Sequence, residues 1–367
     1  MRLFLVAAAL LSASASAQTP GFTETDVSFE SSPGVTLAGT VSVPDGPGPF
    51  PAVVVASGSG GQDRDGGPGG GLLPDSLRMY RDLAHALTRR GLVVLRFDDR
   101  GTGASTLGPD PQDVTPLDLA DDIEAAVGVL AARPDVRWVG IVGHSEGGML
   151  APVVAGRAGA VDGVVLVAAP AERGSETILD QNRAGLAPLG LDAAQAAAVL
   201  APLRELFELV SADPDAPLSD ADLARARALF LASNAAIPSD KAAMIGLTPE
   251  RVAAMADAAL PQLTSRPFRV LLSLDPAAYV ETLEVPALAL FFGLDQQVPP
   301  GRNAGPMREA LAASASPAWD VVTLDGVNHV MQRATTGAFG EYATLADAID
   351  PAVAAAVADW VLGAAGE

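Results

Sequence analysis

The sequence predicts an α/β fold, a mostly parallel sheet with helices on both faces and a long helical insertion. Three observations carry this reading. Short β-branched runs alternate with amphipathic helical segments at both ends of the chain. A Gly-rich turn, Gly143-His144-Ser145-Glu146-Gly147, connects one such run directly to a helix. Between about residues 171 and 283 the alternation gives way to an alanine-rich helical pattern broken by Pro and Gly.

Each element has a local cause. Residues 27–30 and 35–43 read as strands joined by the turn-former Pro33-Gly34. A short apolar strand over 51–56 opens into a Gly-rich loop over 57–71. A helix is expected over 76–90, with Gly91 past its end. Tyr80, Leu83, Ala84 and Leu87 share one face of it, which leaves His85 opposite, in solvent. A buried strand over 92–97 ends in Asp98-Asp99-Arg100-Gly101. Thr115 and Pro116 suit the N-cap and first position of the next helix, which Arg133-Pro134 stops. A strand over 138–142 runs into the Ser145 turn, and the helix after it must kink at Pro152 or hold it near its first turn. Further strands are expected over 164–168, 285–292 and 319–324, with helices over 307–313 and 351–362. The resulting organisation is a leader over 1–17, a first core segment over 18–170, the helical insertion over 171–283 and a second core segment over 284–367.

Composition narrows the function. The chain has 367 residues, of which 49% are hydrophobic and 18% charged, so it is no disordered chain. Its formal charge is −21, from 44 acidic and 23 basic residues, and Lys241 is the only lysine. Such a surface repels phosphate backbones and anionic lipid, which argues against nucleic-acid binding. Adaptation to salt and plain codon bias both account for it. There is no cysteine, which removes disulfides, thiolate metal sites and a Cys nucleophile. The three histidines, His85, His144 and His329, show no metal-ligand spacing, so no metal is expected. Arg2, the apolar stretch 3–11 and Ala15-Ser16-Ala17 read as an export signal cleaved after Ala17. No later run is long and apolar enough to span a membrane.

The chemistry centres on Ser145. A Gly-x-Ser-x-Gly between a strand and a helix marks a sharp, strained turn that exposes a serine hydroxyl at the sheet edge. That hydroxyl needs a base. His144 lies inside the turn and should point away, and His85 faces solvent. His329 remains, in the loop beyond the strand 319–324, where parallel sheets present their functional groups. Asp295, just past the strand 285–292, is the expected carboxylate partner of His329. Asp320 and Asp325 compete from the histidine's own strand, and Glu172 from the loop after 164–168. The oxyanion donors are assigned to the N–H groups of Glu146 and Ser59, the latter to within one residue. The clusters Asp63-Arg64-Asp65 and Asp98-Asp99-Arg100 either pair and brace that loop or stand as solvated turn charges.

The segments SGSGGQDRD (57–65), FDDRG (97–101), GHSEGG (143–148) and Asn328-His329 resemble one bacterial branch of the α/β-hydrolase superfamily. Leu274-Asp275-Pro276 and the stretch 332–342 are similar to it too. Its members are carboxylesterases labelled dienelactone-hydrolase-like or serine-aminopeptidase-like. The resemblance runs from about residue 26 to 365 and is weakest across the insertion. It implies an α/β-hydrolase core with a helical cap and a Ser145–His329–Asp295 triad, with no cofactor. The expected activity is hydrolysis of small-molecule carboxylic esters. A peptidase, amidase or thioesterase would use the same groups, and a non-catalytic binding protein of this fold is the reading from another class. The sequence does not give the oligomeric state.

Overall fold

The computed structural model describes residues 21–67, 73–74, 76–109 and 111–366. The expected leader, and the part of the Gly-rich loop over 68–71, lie outside the described residues.

The strands are β1 (Phe22–Ser32), β2 (Val35–Pro44), β3 (Phe50–Ala56), β4 (Val93–Phe97), β5 (Val136–His144), β6 (Gly163–Val167), β7 (Ala287–Phe292) and β8 (Trp319–Leu324). They form one sheet in the order β1-β2-β4-β3-β5-β6-β7-β8. β1 and β2 form an antiparallel hairpin, and β2 pairs antiparallel with β4. Every pairing from β4 through β3 to β8 is parallel. The functional loops after β3, β5, β7 and β8 therefore leave the same edge.

The helices are α1 (Met79–Thr88), α2 (Pro116–Ala131), α3 (Glu146–Ala155), α4 (Gly174–Leu186), α5 (Ala193–Ser211), α6 (Asp220–Ala235), α7 (Ser239–Met244), α8 (Pro249–Leu263), α9 (Arg266–Ser273), α10 (Pro276–Val280), α11 (Pro300–Ala313) and α12 (Pro351–Ala364). The two-residue side-chain period of the strands divides the core. Ala52, Val54 and Ala56 of β3 face Ile123, Val127 and Leu130 of α2 and Leu150 of α3. Val53 and Val55 face the opposite layer, with Leu83 and Leu87 of α1 and Val357 and Val361 of α12. Strands covered on both faces carry apolar residues at consecutive positions, which is why β3, β6 and β7 read as unbroken hydrophobic runs.

Helices α4–α10 fill the chain between β6 and β7. Leu179, Leu206, Phe207, Val210, Leu229 and Leu272 give this block a core of its own. Phe207 and Phe268 meet edge to face at 6.0 Å. Its two ends lie together: the Gly174 N–H donates to the Leu274 carbonyl at 3.0 Å. Arg302 of α11 holds the block to the sheet side through ion pairs with Glu172 (2.8 Å) and Asp180 (2.5 Å). Leu223, Met244, Ile245 and Met255 remain exposed on its outer helices.

Three local expectations change. The helix expected from 76 begins at Met79, because the carbonyls of Gly66 and Asp65 take the N–H groups of Met79, Tyr80 and Arg81. His85 is half-buried rather than solvated: Nε2 lies 3.1 Å from Glu24 Oε1 and its ring meets Phe22 at 4.9 Å. The longer hairpin strand β1 brings both partners to it. α11 starts at Pro300, seven residues before the expected position, since Gly301, Gly305 and Pro306 hide its period without breaking it. Pro152 sits inside α3, past its first turn.

Ile141 on central β5 is fully buried. Ile141→Ala should lower unfolding free energy by about 2–5 kcal/mol through lost burial and a residual cavity, read as a lower urea midpoint at unchanged slope.

Candidate active site

The turn after β5 is built by sterics. Ser145 carries φ 52° and ψ −114°, in the left-handed half of the map where a side chain is unfavourable. Its neighbours explain why it stays there. A Cβ on Gly147 would lie 2.5 Å from the Ser57 carbonyl oxygen and 2.6 Å from that of Ala56. A Cβ on Gly148 would lie 2.7 Å from Ala169 Cβ, and one on Gly143 would clash with the backbone of Gly147. Both glycines of the motif are thus required by close backbone approach. Three hydrogen bonds fix the turn: Ser145 N–H to Val167 O (2.8 Å), Gly147 N–H to Ser57 O (2.9 Å) and Met149 N–H to Ser145 O (3.0 Å).

His329 lies in the loop beyond β8, and Asp295 in the loop beyond β7. His329 Nδ1 is 2.7 Å from Asp295 Oδ2, and both side chains are buried. The other Asp295 oxygen accepts from the N–H groups of Gln297 and Val298, each at 2.8 Å. The carboxylate is therefore held from both sides and fixes the imidazole's orientation. The His329 loop is shaped by Asn328, whose Oδ1 accepts from Gln332 N–H at 2.9 Å, and by Asp350 N–H donating to the Met331 carbonyl at 2.6 Å. The competing carboxylates lie elsewhere. Glu172 is engaged by Arg302, Asp320 accepts from the next residue's N–H, and Asp325 is exposed.

His144 turns its ring beneath the site. Its Nδ1 lies 3.1 Å from Tyr80 Oη and its Nε2 2.9 Å from the His329 carbonyl oxygen. Burial, helped by the nearby His329, lowers its pKa to about 3, so it is a neutral group.

The loop after β3 is braced by charge. Arg64 meets Asp98 through two parallel contacts, Nε–Oδ1 at 3.0 Å and Nη2–Oδ2 at 2.8 Å. Burial works against the Asp98 charge, but the bonds from Arg64 and the Ala104 N–H outweigh it and hold the carboxyl below its usual range. Arg100 turns instead to Asp122 at 2.5 Å, and Asp63 caps its own turn. Asp99 accepts from Ser57 Oγ at 2.6 Å and Gln62 N–H at 2.8 Å and has no basic partner among the described residues. Burial pushes its carboxyl up to about 7, with Glu146 and Asp122 adding to the rise and the two hydrogen bonds opposing it.

Glu146 and Ser59 flank the Ser145 turn. Among the described residues neither backbone N–H donates to another group, whereas that of Gly58 is taken by Tyr80 Oη at 2.7 Å. The Glu146 side chain is buried, which raises its pKa against a hydrogen bond from Ser59. It lines a cavity of about 230 Å³ together with Gln262, Ser265, Phe268 and Leu271 of the helical block. A larger cavity of about 500 Å³ between α1 and α12 contains none of these groups. The smaller space reaches the Ser145 turn through Glu146, and its lining includes none of Ser145, Asp295 and His329. No cluster of three or more metal-ligating side chains occurs among the described residues.

Sequence reasoning missed Tyr80 and the inward role of His144. Tyr80 was legible as a core residue, but a hydroxyl's partner lies outside any periodicity.

Comparison with known proteins agrees with this architecture. Residues 73–221 match a family model described as serine aminopeptidase, S33. Solved structures similar over nearly the whole chain include proline iminopeptidase of Mycobacterium smegmatis, at TM-score 0.53, 18% identity and 93% and 98% coverage of the two chains. The Pyrococcus furiosus esterase Pf2001 follows at TM-score 0.51, 15% identity and 94% and 91% coverage. The chain has the α/β-hydrolase fold. Esterase EstD of Thermotoga maritima is 39% identical over 155 residues, which are 42% of this chain and 35% of that protein. The match thus spans about a third of this relative's length.

The Asp99 environment generates a pH test. Its folded-state value lies above the roughly 3.9 of an unfolded carboxyl. The protonated form therefore favours the fold, a contribution complete below about pH 4 and lost as pH rises through about 7. Asp99→Asn should gain stability relative to the parent between about pH 5 and about pH 8. Thermal melts across that range should show the difference in Tm moving in the variant's favour. A difference independent of pH would mean that Asp99 is ionised throughout.

Proposed function

We propose that the chain is an exported serine hydrolase that cleaves carboxylic esters through an acyl-enzyme. The observation that carries this is the buried His329–Asp295 pair, 2.7 Å apart, on the same sheet edge as the strained Ser145 turn. Similarity to the Thermotoga maritima esterase over the shared segment supports the ester class. The leader read over residues 1–17 supports export, to the periplasm or the medium.

In this reading Ser145 Oγ attacks the ester carbonyl while His329 Nε2 takes its proton. Asp295 holds Nδ1–H and stabilises the imidazolium. The N–H groups of Glu146 and Ser59 receive the oxyanion. Collapse of the tetrahedral species expels the alcohol, which His329 protonates. Water then attacks the acyl-enzyme with the same base, and Ser145 recovers its proton. No metal or organic cofactor enters these steps. The helical block acts as a cap over the site, and the shared cavity at Glu146 supports that placement. Short to medium acyl groups are expected, because the block's apolar side chains largely pack into its own core.

One observation favours a second reading. Glu146 lines this cavity, and among the described residues no basic side chain acts on its carboxyl, an environment that suits an amine-bearing acyl group and hence peptidase or amidase activity. Matched aminoacyl esters and amides separate the two.

Ser145→Ala should reduce kcat by about 10⁴-fold or more, His329→Ala similarly and Asp295→Asn less, with Glu172→Gln near parental. Fluorophosphonate labelling should require Ser145. Near-normal turnover in a folded Ser145→Ala protein would sink the assignment. Among p-nitrophenyl esters, acetate and butyrate should outpace palmitate, without a rise in rate at an oil–water interface. A best rate on palmitate would mean that the exposed apolar side chains of the cap engage lipid.

A further inference from the structure

Tyr80 and His144 are buried polar side chains that the proposed chemistry does not use. Their hydrogen-bond directions are fixed by their partners. A carbonyl oxygen only accepts, so His144 Nε2, 2.9 Å from the His329 carbonyl, carries the proton. In the neutral ring Nδ1 is then an acceptor, and Tyr80 Oη at 3.1 Å donates to it. The same Tyr80 oxygen accepts the Gly58 N–H at 2.7 Å. The result is one directed chain: Gly58 N–H to Tyr80 O–H to His144, then His144 Nε2–H to the His329 backbone.

Its ends are the two loops that must stand in register. Gly58 directly precedes Ser59, the assigned oxyanion donor, and its own N–H is occupied by Tyr80. His329 is the assigned base, held at its carbonyl by His144 and at its ring by Asp295. The middle of the chain rests on the Ser145 turn, since His144 is the residue before the serine. The contacts leave little slack. The His144 and His329 rings lie 4.9 Å apart, and a Cβ on Gly58 would sit 3.2 Å from both His144 Nδ1 and Ser145 Cβ. Tyr80 and His144 are 2% and 4% exposed. Burial keeps His144 neutral, so the direction of the chain is constant across ordinary pH.

We infer that Tyr80 and His144 are positioning residues that set the spacing between the oxyanion loop and the general-base loop. The inference rests on the serine-hydrolase reading, and its role belongs to the transition state. The ground-state carbonyl gains little from a donor aimed at the developing oxyanion.

The test compares Tyr80→Phe with the parent on a p-nitrophenyl ester both cleave. Expected are a fall in kcat of about 10- to 100-fold, a KM within about twofold and a matching loss of affinity for a trifluoromethyl ketone carrying the same acyl chain. Affinity for the corresponding unactivated methyl ketone should not change. His144→Gln, whose amide can donate to the His329 carbonyl, should retain more kcat than His144→Leu. The double variant Tyr80→Phe/His144→Leu should cost little more than the worse single change, because the two act in one chain.

A folded Tyr80→Phe protein with parental kcat would overturn the proposal. So would a loss that tracks only the folded fraction, or one carried by KM. Should Tyr80→Phe not fold, the same kcat, KM and ketone comparison on His144→Gln against His144→Leu decides, and equal values for the two overturn it. An inactive parent chain, or turnover that survives Ser145→Ala, would instead refute the hydrolase reading itself.

Discussion

Ser145 carries its side chain in backbone space that favours glycine, as Ala168 and Met331 also do among the described residues. Conformations of this kind cost on the order of 1–3 kcal/mol and persist only where the surroundings over-determine them. Here the determination comes from both neighbouring strands. Ser57, the residue after β3, accepts from Gly147, and the end of β6 accepts from Ser145 itself. Glycines at 143, 147 and 148 let those backbones close in without a Cβ between them. The sheet order follows the same logic, since β5 has to lie between β3 and β6 for either contact to form. Strain at one position is thus balanced by parallel pairing over the whole centre of the sheet.

Electrostatics around the turn divide two adjacent carboxyls by their partners. Asp98 has a guanidinium in bidentate contact and stays charged below its usual range. Asp99, one residue on, has only neutral donors and is pushed upward by burial. Both accept from the loop after β3, Asp98 from Arg64 and Asp99 from Ser57 and Gln62. One locks the loop after β3 to the β2–β4 side through Arg64. The other holds Ser57 and Gln62 beside the turn. A net charge of −21 therefore coexists with a site whose inner carboxyls are individually accounted for.

Much of this was legible in the chain. The turn glycines, the N-cap Thr115 with Pro116 after it and the apolar strands are local signals, and each formed where its residues demanded. Asp295 and His329 were accessible by a different route, elimination among three histidines and the order of strand ends. What could not be read depends on contacts between distant segments. α1 begins late because carbonyls from residues 65 and 66 cap it, and nothing within the helix encodes that. His85 lost its place in solvent to Glu24, which lies beyond the strand read from the sequence. Tyr80 satisfied a helical period, and its hydroxyl found Gly58 and His144 only through the packing of α1 against β4. Hydrophobic spacing names the face a residue occupies. It carries no information about which polar atom waits there.

The meeting of Gly174 with Leu274 has a consequence for how such a molecule can diversify. The excursion between them begins and ends at one point, has its own apolar interior and leaves α10 to complete the crossover into β7. Closing a loop costs free energy that grows only with the logarithm of its length. Material can therefore be lengthened, shortened or exchanged inside that junction while the sheet keeps its register. Lineages of this architecture can trade one canopy for another as a unit, with the buried machinery below inherited intact.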